Sequence, residues 1–153
     1  MALMPDHFTS GQSTAKKAAS ILVARKIGFF VPTGRQKQNL IVAFAKRAMV
    51  VYGKAFDIIR LSGTVNLDDL ADVERHLNRI TIFEIKSTRK TLKADFSKYF
   101  FGLTAAEVLV AQSLKKNFKF VFVNIETGDC LELSLVEIFA KAKGIYPTWS
   151  ISF

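Results

Sequence analysis

Apolar side chains along this chain recur first every third or fourth residue and then every second one, and each change of period marks an element boundary. Ala18, Ala19, Leu22 and Val23 share one side of a helix while Lys16, Lys17 and Arg25 lie off it, which predicts a helix over 15–26 halted at Gly28. Phe29, Phe30 and Val31 form a short strand or connector before the turn Pro32-Thr33-Gly34. Leu40, Ala43, Phe44, Ala48 and Val51 then predict a second helix over about 38–52, ended by Gly53. The period switches to two over 55–61, a strand, and 62–66 is a turn. An acidic helix over 66–78, capped by Asn66, reads as an insert before a central strand over 79–87. A basic, aromatic-bearing loop follows over 89–101. Thr104 and Glu107 form a capping box that opens a helix to about Lys116. The runs 118–125 and 130–133 make a hairpin around Thr127-Gly128-Asp129, and a second capping box, Ser134 with Glu137, opens a helix ending near Gly144. The apolar remainder, 145–153, is extended.

This order of elements predicts a mixed α/β (α+β) domain with a small central sheet flanked by helices. The expected organisation is a flexible tail over 1–13 and a single domain over 14–153, with 66–78 inserted.

Charge sharpens the picture. The formal net charge is +9. Up to Lys54 the basic residues are Lys16, Lys17, Arg25, Lys26, Arg35, Lys37, Lys46, Arg47 and Lys54, and the sole acid is Asp6. A field of one sign favours a polyanionic partner, DNA or RNA before an anionic membrane, because these residues interleave with core-type positions. A single cysteine, Cys130, excludes an internal disulfide and a cysteine-rich zinc site, and two histidines, His7 and His76, disfavour histidine-based metal or triad chemistry. No apolar run has the length to cross a bilayer and no leader-like segment opens the chain, so a cytoplasmic protein is expected. Fourteen phenylalanines are many for this length, and some are expected at an interface between copies.

The candidate chemistry lies in the central strand, Ile80-Thr81-Ile82-Phe83-Glu84-Ile85-Lys86-Ser87-Thr88. Alternation puts Glu84 and Lys86 on one face, with Phe83 and Ile85 on the other. Asp57 sits in a second strand-like run. Two carboxylates and a lysine on adjacent strands suit metal-assisted phosphodiester cleavage. Mg²⁺, with Mn²⁺ as substitute, takes hard oxygen ligands and keeps several waters, so Asp57, Glu84 and the backbone carbonyl of Ile85 suffice to hold it. Lys86 can hold the attacking water or stabilise the charged phosphate. The plain alternative for Glu84 and Lys86 is an exposed ion pair of little energetic consequence, but the apolar neighbours argue for burial, where unassigned charges are costly.

Asp57 followed by Glu84-Ile85-Lys86 resembles the PD-(D/E)XK signature of a nuclease superfamily that includes restriction enzymes, homing endonucleases and Holliday-junction resolvases. The resemblance spans about 38–125. It implies a restriction-endonuclease-like sheet, Mg²⁺-dependent cleavage of duplex or branched DNA, and catalytic roles for Asp57, Glu84 and Lys86. Phe56 replaces the motif's proline, and no acid occupies the preceding helix, where Gln38 or Asn39 is the candidate accessory ligand. Gln112 is a further accessory candidate from the later helix. Lys16, Lys17, Arg35, Lys37, Arg89, Lys90 and Lys93 are the expected DNA contacts. Glu107 reads as the capping partner of Thr104, and Asp68, Asp69, Asp72 and Glu74 as a solvated helix face. Because duplex DNA has two antiparallel strands, a homodimer is expected, with 146–153 a candidate interface. The rival expectation is a non-catalytic nucleic-acid-binding module that keeps the same fold.

Overall fold

Successive residues of the two longest strands belong to different cores, and each core is roofed by a different set of helices. The computed structural model describes residues 7–153, with side chains from residue 13 onward. In chain order the elements are α1 (His7–Ala24), β1 (Phe29–Phe30), α2 (Gly34–Ala45), β2 (Ile58–Leu61), α3 (Leu70–Arg75), β3 (Ile80–Thr88), α4 (Ala105–Leu114), β4 (Phe118–Asn124), β5 (Cys130–Leu133) and α5 (Leu135–Lys141). The strands lie in sequence order across one sheet. Every neighbouring pair is antiparallel except β3 and β4, which run parallel and are joined through α4. A parallel pair needs such a crossover, whereas the antiparallel pairs need only turns. The mixed α/β class expected from the sequence holds.

Ile59, Ile80, Ile82, Phe118, Phe120 and Phe122 face a core shared with α2, α3, α4 and α5, into which Leu40, Phe44, Val73, Val110, Leu114 and Ile138 pack. Ile58, Phe83, Ile85, Val121, Val123 and Ile125 face the other way, beneath Ala18 and Leu22 of α1. With both faces covered, β4 is buried along almost its whole length, which is why Phe118 to Ile125 is a nearly unbroken apolar run. No described helix is long and apolar enough to cross a membrane.

Several boundaries differ from expectation. Helix α2 begins four residues early, at Gly34, because Thr33 and Gln36 close a capping box there. It ends at Ala45 instead of running to 52. Met49 N–H bonds back to Phe44 O, and Ala48 adopts φ 58°, a left-handed closure usually given to glycine. The residues 53–55 form a turn of 3₁₀ helix, so β2 starts at Ile58. The acidic helix is confined to Leu70–Arg75 and its cap is Asp69, while Asn66 Oδ1 accepts the Asp68 N–H in the turn before it. Val73 and Leu77 are buried in the same core as Leu40 and Phe44, so this segment closes the core. Of the tail expected over 1–13, residues 7–13 belong to α1 and the remainder lies outside the described residues.

Asn117 ties this segment to the sheet. Its buried amide donates to Leu77 O and Ile80 O, each at 3.0 Å, just before β4 begins. Asn117→Ala leaves two buried carbonyls without that donor, so the expected loss is about 2–4 kcal/mol. Urea unfolding measures it, and a midpoint equal to the parent's would show that the amide carries no such role.

Candidate active site

The site forms where β2 and β3 part. Ser62 N–H donates to Arg79 O, and stepping by two along the register, Ile58 pairs with Phe83 and Phe56 would pair with Ile85. That last rung is replaced. Asp57 N–H turns to Phe83 O at 2.9 Å. The Phe56 carbonyl accepts from Lys37 Nζ at 3.1 Å. The Ile85 N–H, which loses its backbone acceptor, donates instead to Asp57 Oδ2 at 3.0 Å. An aspartate carboxylate thus stands where a backbone carbonyl would be, with one oxygen fixed by the sheet.

Glu84 and Lys86 project from the α4-facing side of β3, flanked across the parallel register by Phe120 and Phe122. Both side chains are mostly buried, 12% and 15% exposed. Lys86 Nζ lies 3.6 Å from Glu84 Oε1 and 2.7 Å from Glu107 Oε2. Glu107, 6% exposed, occupies the first turn of α4, where its Oε2 also accepts the Thr104 N–H at 3.2 Å. The helix dipole favours a negative charge at that end.

Glu84 is the strained member. Its Oε2 is buried with no hydrogen-bond donor. Burial first, then the Asp57 charge, pushes its carboxyl from the ordinary 4.5 up to about 8, against the opposing pull of Lys86. Protonation supplies the missing partner, since the neutral carboxyl hydrogen-bonds to Asp57. A divalent cation relieves the same strain by another route. Asp57 and Glu84 offer hard oxygens, and the Ile85 carbonyl points along the same strand edge as the N–H that Asp57 holds. Among the described residues no three His, Cys, Asp or Glu side chains form a ligand group for a metal ion. The side chains that could hold a divalent cation here are thus two carboxylates, and Mg²⁺, which keeps several of its waters, is the kind of ion that two carboxylates and a backbone carbonyl could hold.

The accessory residues fall elsewhere. Gln38 is exposed, and the Asn39 amide donates to Leu67 O, so neither takes the helix-borne ligand place. What α2 sends toward Asp57 is a cation: Lys37 bonds the carbonyls of Gly53 and Phe56 and lies over the Phe56 ring, 4.6 Å from its centroid. Its ammonium is thereby committed within the fold. Gln112 is exposed, about 140° round α4 from Glu107. Lys16 and Lys17 sit on α1, across the sheet from the carboxylates, and Arg35 is exposed in the first turn of α2. Arg89, Lys90 and Lys93 are exposed on the loop leaving β3, beside the site. Two cavities lie away from the carboxylates: one of about 300 Å³ bounded by Leu22, Arg25, Phe29, Val121, Cys130 and Glu132, and a shallow groove along Ala19, Val23, Phe30 and Val31. We place the site by its charges, since neither hollow holds an acid pair.

Sequence reasoning missed Glu107, because the capping box already explained it. One signal was present: Glu107, Val110, Ala111 and Leu114 share a single helical stripe, so an acid at 107 must face the sheet with them. No family model, curated protein or solved structure matches the chain.

Two outcomes follow from this electrostatics. In the unfolded chain Glu84 releases its proton near 4.5, whereas in the fold it holds it to about 8. Folding therefore takes up a proton between those values, and metal-free stability falls as pH rises through that window, on the order of a few kcal/mol in all. Denaturant midpoints across pH measure this, and Glu84→Gln is expected to flatten the slope and to exceed the parent at high pH. Glu107→Gln keeps the cap, since glutamine serves that position equally, but removes the anion holding Lys86. Lys86 then turns to Glu84, whose titration, followed by carboxyl-carbon NMR, is expected to drop by about a unit or more. No drop would mean that Lys86 is not shared between the two acids.

Proposed function

We propose that this chain is a divalent-cation-dependent DNA endonuclease of the PD-(D/E)XK kind, with a restriction-endonuclease-like sheet. The observation that supports it most is the junction of Asp57 and Glu84 at the parting of two strands, with a buried carboxylate oxygen lacking a donor and a lysine ammonium alongside. Burying such a group without a cation or proton costs several kcal/mol, on the order of the penalty for an unpaired buried charge. Groups perturbed in this way concentrate at functional sites.

In this reading Asp57, Glu84 and the Ile85 carbonyl would hold Mg²⁺ or Mn²⁺. The ion, when bound, offers Lewis-acid charge to a phosphate oxygen and lowers the pKa of a coordinated water. Lys86 stabilises the negative charge that builds on the phosphate and orients the attacking water. Glu107 is a positioning residue: it holds the Lys86 ammonium beside the acid pair. Arg89, Lys90 and Lys93 neutralise neighbouring phosphates, which fixes the backbone without reading sequence. A second copy supplies the second cut in a duplex, and the exposed apolar residues Trp149, Ile151 and Phe153 of the C-terminal segment are the candidate surface for it. Holliday junctions, whose arms present the same paired geometry, are equally suited substrates.

A non-catalytic nucleic-acid-binding module is the second reading. Its support is that Lys86 lies nearer Glu107 than Glu84, and that α2 supplies Lys37 where an acid would strengthen metal binding. The two readings separate on supercoiled plasmid and four-way junctions with Mg²⁺, Mn²⁺ or chelator. The expected result is cation-dependent nicking, lowered about a hundredfold or more in Lys86→Ala with DNA retention intact. Retention without cutting in either cation would overturn the nuclease reading.

A further inference from the structure

Two aromatic rings stand in water beside the loop that leaves the candidate site. Phe100 is 77% exposed and Tyr146 72%, and their ring centroids lie 6.4 Å apart with planes inclined by 37°. The presentation of Phe100 is enforced by its neighbours. Tyr99 donates its hydroxyl to Ser87 O at 3.2 Å, which pins the loop to the end of β3. Phe101 stacks on Tyr99 at 5.5 Å and packs edge-on against Phe122 at 4.7 Å. With both flanking rings turned into the core, the ring between them turns outward. The loop holds this shape under backbone strain: Phe96 and Lys98 both take positive φ, 55° and 64°, where non-glycine residues are disfavoured.

A glycine makes room for Tyr146. A Cβ on Gly144 would come 2.5 Å from the Tyr146 hydroxyl oxygen and under 3 Å from the ring, so a side chain there would turn the Tyr146 ring away from this pose. The loop after β3 fixes Phe100, and Gly144 after α5 leaves the space in which the Tyr146 ring lies beside it. Phe122, on which Phe101 rests, is the register partner of Lys86, so the platform sits next to the carboxylate cluster. Lys98 and Lys143 flank the two rings in sequence and are exposed, and Lys90 and Lys93 line the same loop.

An exposed aromatic pair in a cationic rim matches the chemistry of an unpaired nucleotide: the base stacks on a ring while the lysines meet its phosphates. A duplex hides its base faces in its own stack and cannot use the rings in this way. We propose that Phe100 and Tyr146 form a stacking platform for unpaired nucleobases, so that this protein engages single-stranded or branched DNA in preference to continuous duplex. The inference deepens the nuclease reading and rests on it for the identity of the ligand as DNA.

Binding of oligo-dT carrying one 2-aminopurine, and of a continuous duplex of the same length, is measured with the full chain in chelator, so that no cutting intervenes. The parent is expected to quench the 2-aminopurine. Phe100→Ala should abolish the quench and weaken oligo-dT on the order of tenfold, with the duplex and the salt dependence nearly unchanged. Phe100 is exposed, so this variant is expected to fold, and thermal melting checks it. Tyr146→Ala and Gly144→Ala should each reproduce part of the loss, while Phe100→Trp should restore binding. Equal losses on both DNAs would overturn the platform, as would unchanged quenching. Self-association that depends on Phe100, seen by sedimentation without any effect on oligo-dT, would assign the pair to contacts between copies instead. Because no cation is present, a protein that never nicks plasmid can still pass this test, and one that nicks can fail it.

Discussion

Charge balance in one half-buried cluster governs the rest of this structure. Asp57, Glu107 and the Lys86 ammonium all act on Glu84, so three acids share one cation, which itself contacts Glu84 and Glu107. With all of them ionised, the cluster carries two net negative charges beside Phe120 and Phe122 of the neighbouring strand. Such an excess cannot stand in a low-dielectric setting, and the fold offers two exits. One is a proton on Glu84, which removes one charge and adds a hydrogen bond to Asp57. The other is a divalent cation, which removes both. Lys86 alone solves neither problem, because Glu107 claims it at 2.7 Å and leaves Glu84 with the longer contact.

The topology makes this arrangement hard to avoid. A helix that joins two parallel strands must start near the C-terminal end of the first and return toward the N-terminal end of the second. Helix α4 does so between β3 and β4, which brings its first turn, and Glu107 with it, over the end of β3 that carries Lys86. The parting of β2 from β3 at the same level is equally determined. Lys37 withdraws the Phe56 carbonyl from the ladder, and Asp57 fills the gap it leaves at Ile85. A capping residue and a ladder residue, each locally satisfied, are thus delivered to opposite sides of Glu84.

How far the sequence could be read follows from which interactions are local. Alternation along 80–88 placed Glu84 and Lys86 on one face, and the structure keeps them there, because period-two alternation survives any packing of the strand. Both capping boxes, Thr104 with Glu107 and Ser134 with Glu137, form as spelled, since they depend on four consecutive residues. The start of α2 was written in the same code, Thr33 with Gln36, but the preceding proline and glycine read as a turn and masked it. Its end at Ala45 was not legible, because alanine at a left-handed position has no sequence mark. The displaced role of Lys37 was equally hidden: a lysine flanked by polar residues looks like a phosphate contact until tertiary structure buries its ammonium against Phe56. Gln38 and Asn39 were chosen by nearness in sequence, and a turn of helix carries them past the site.

In the proposed nuclease reading a proton and a cation would compete for the same Glu84 oxygen, which would link the stability of the fold to its chemistry. The proton that Glu84 holds near neutrality is the one a cation would have to expel to gain both carboxylates. A group with an ordinary carboxylate pKa would be open to a cation at any physiological pH, but it would also leave the empty site fully charged. With its pKa raised toward neutrality, Glu84 removes one charge from the cluster by holding a proton, and cation entry would then be a proton exchange. Glu107 shifts this balance: by holding Lys86 at 2.7 Å it draws away the ammonium that would otherwise stabilise ionised Glu84. A carboxylate that looks like a helix cap therefore also sets the charge that Glu84 meets, by holding the ammonium in its reach.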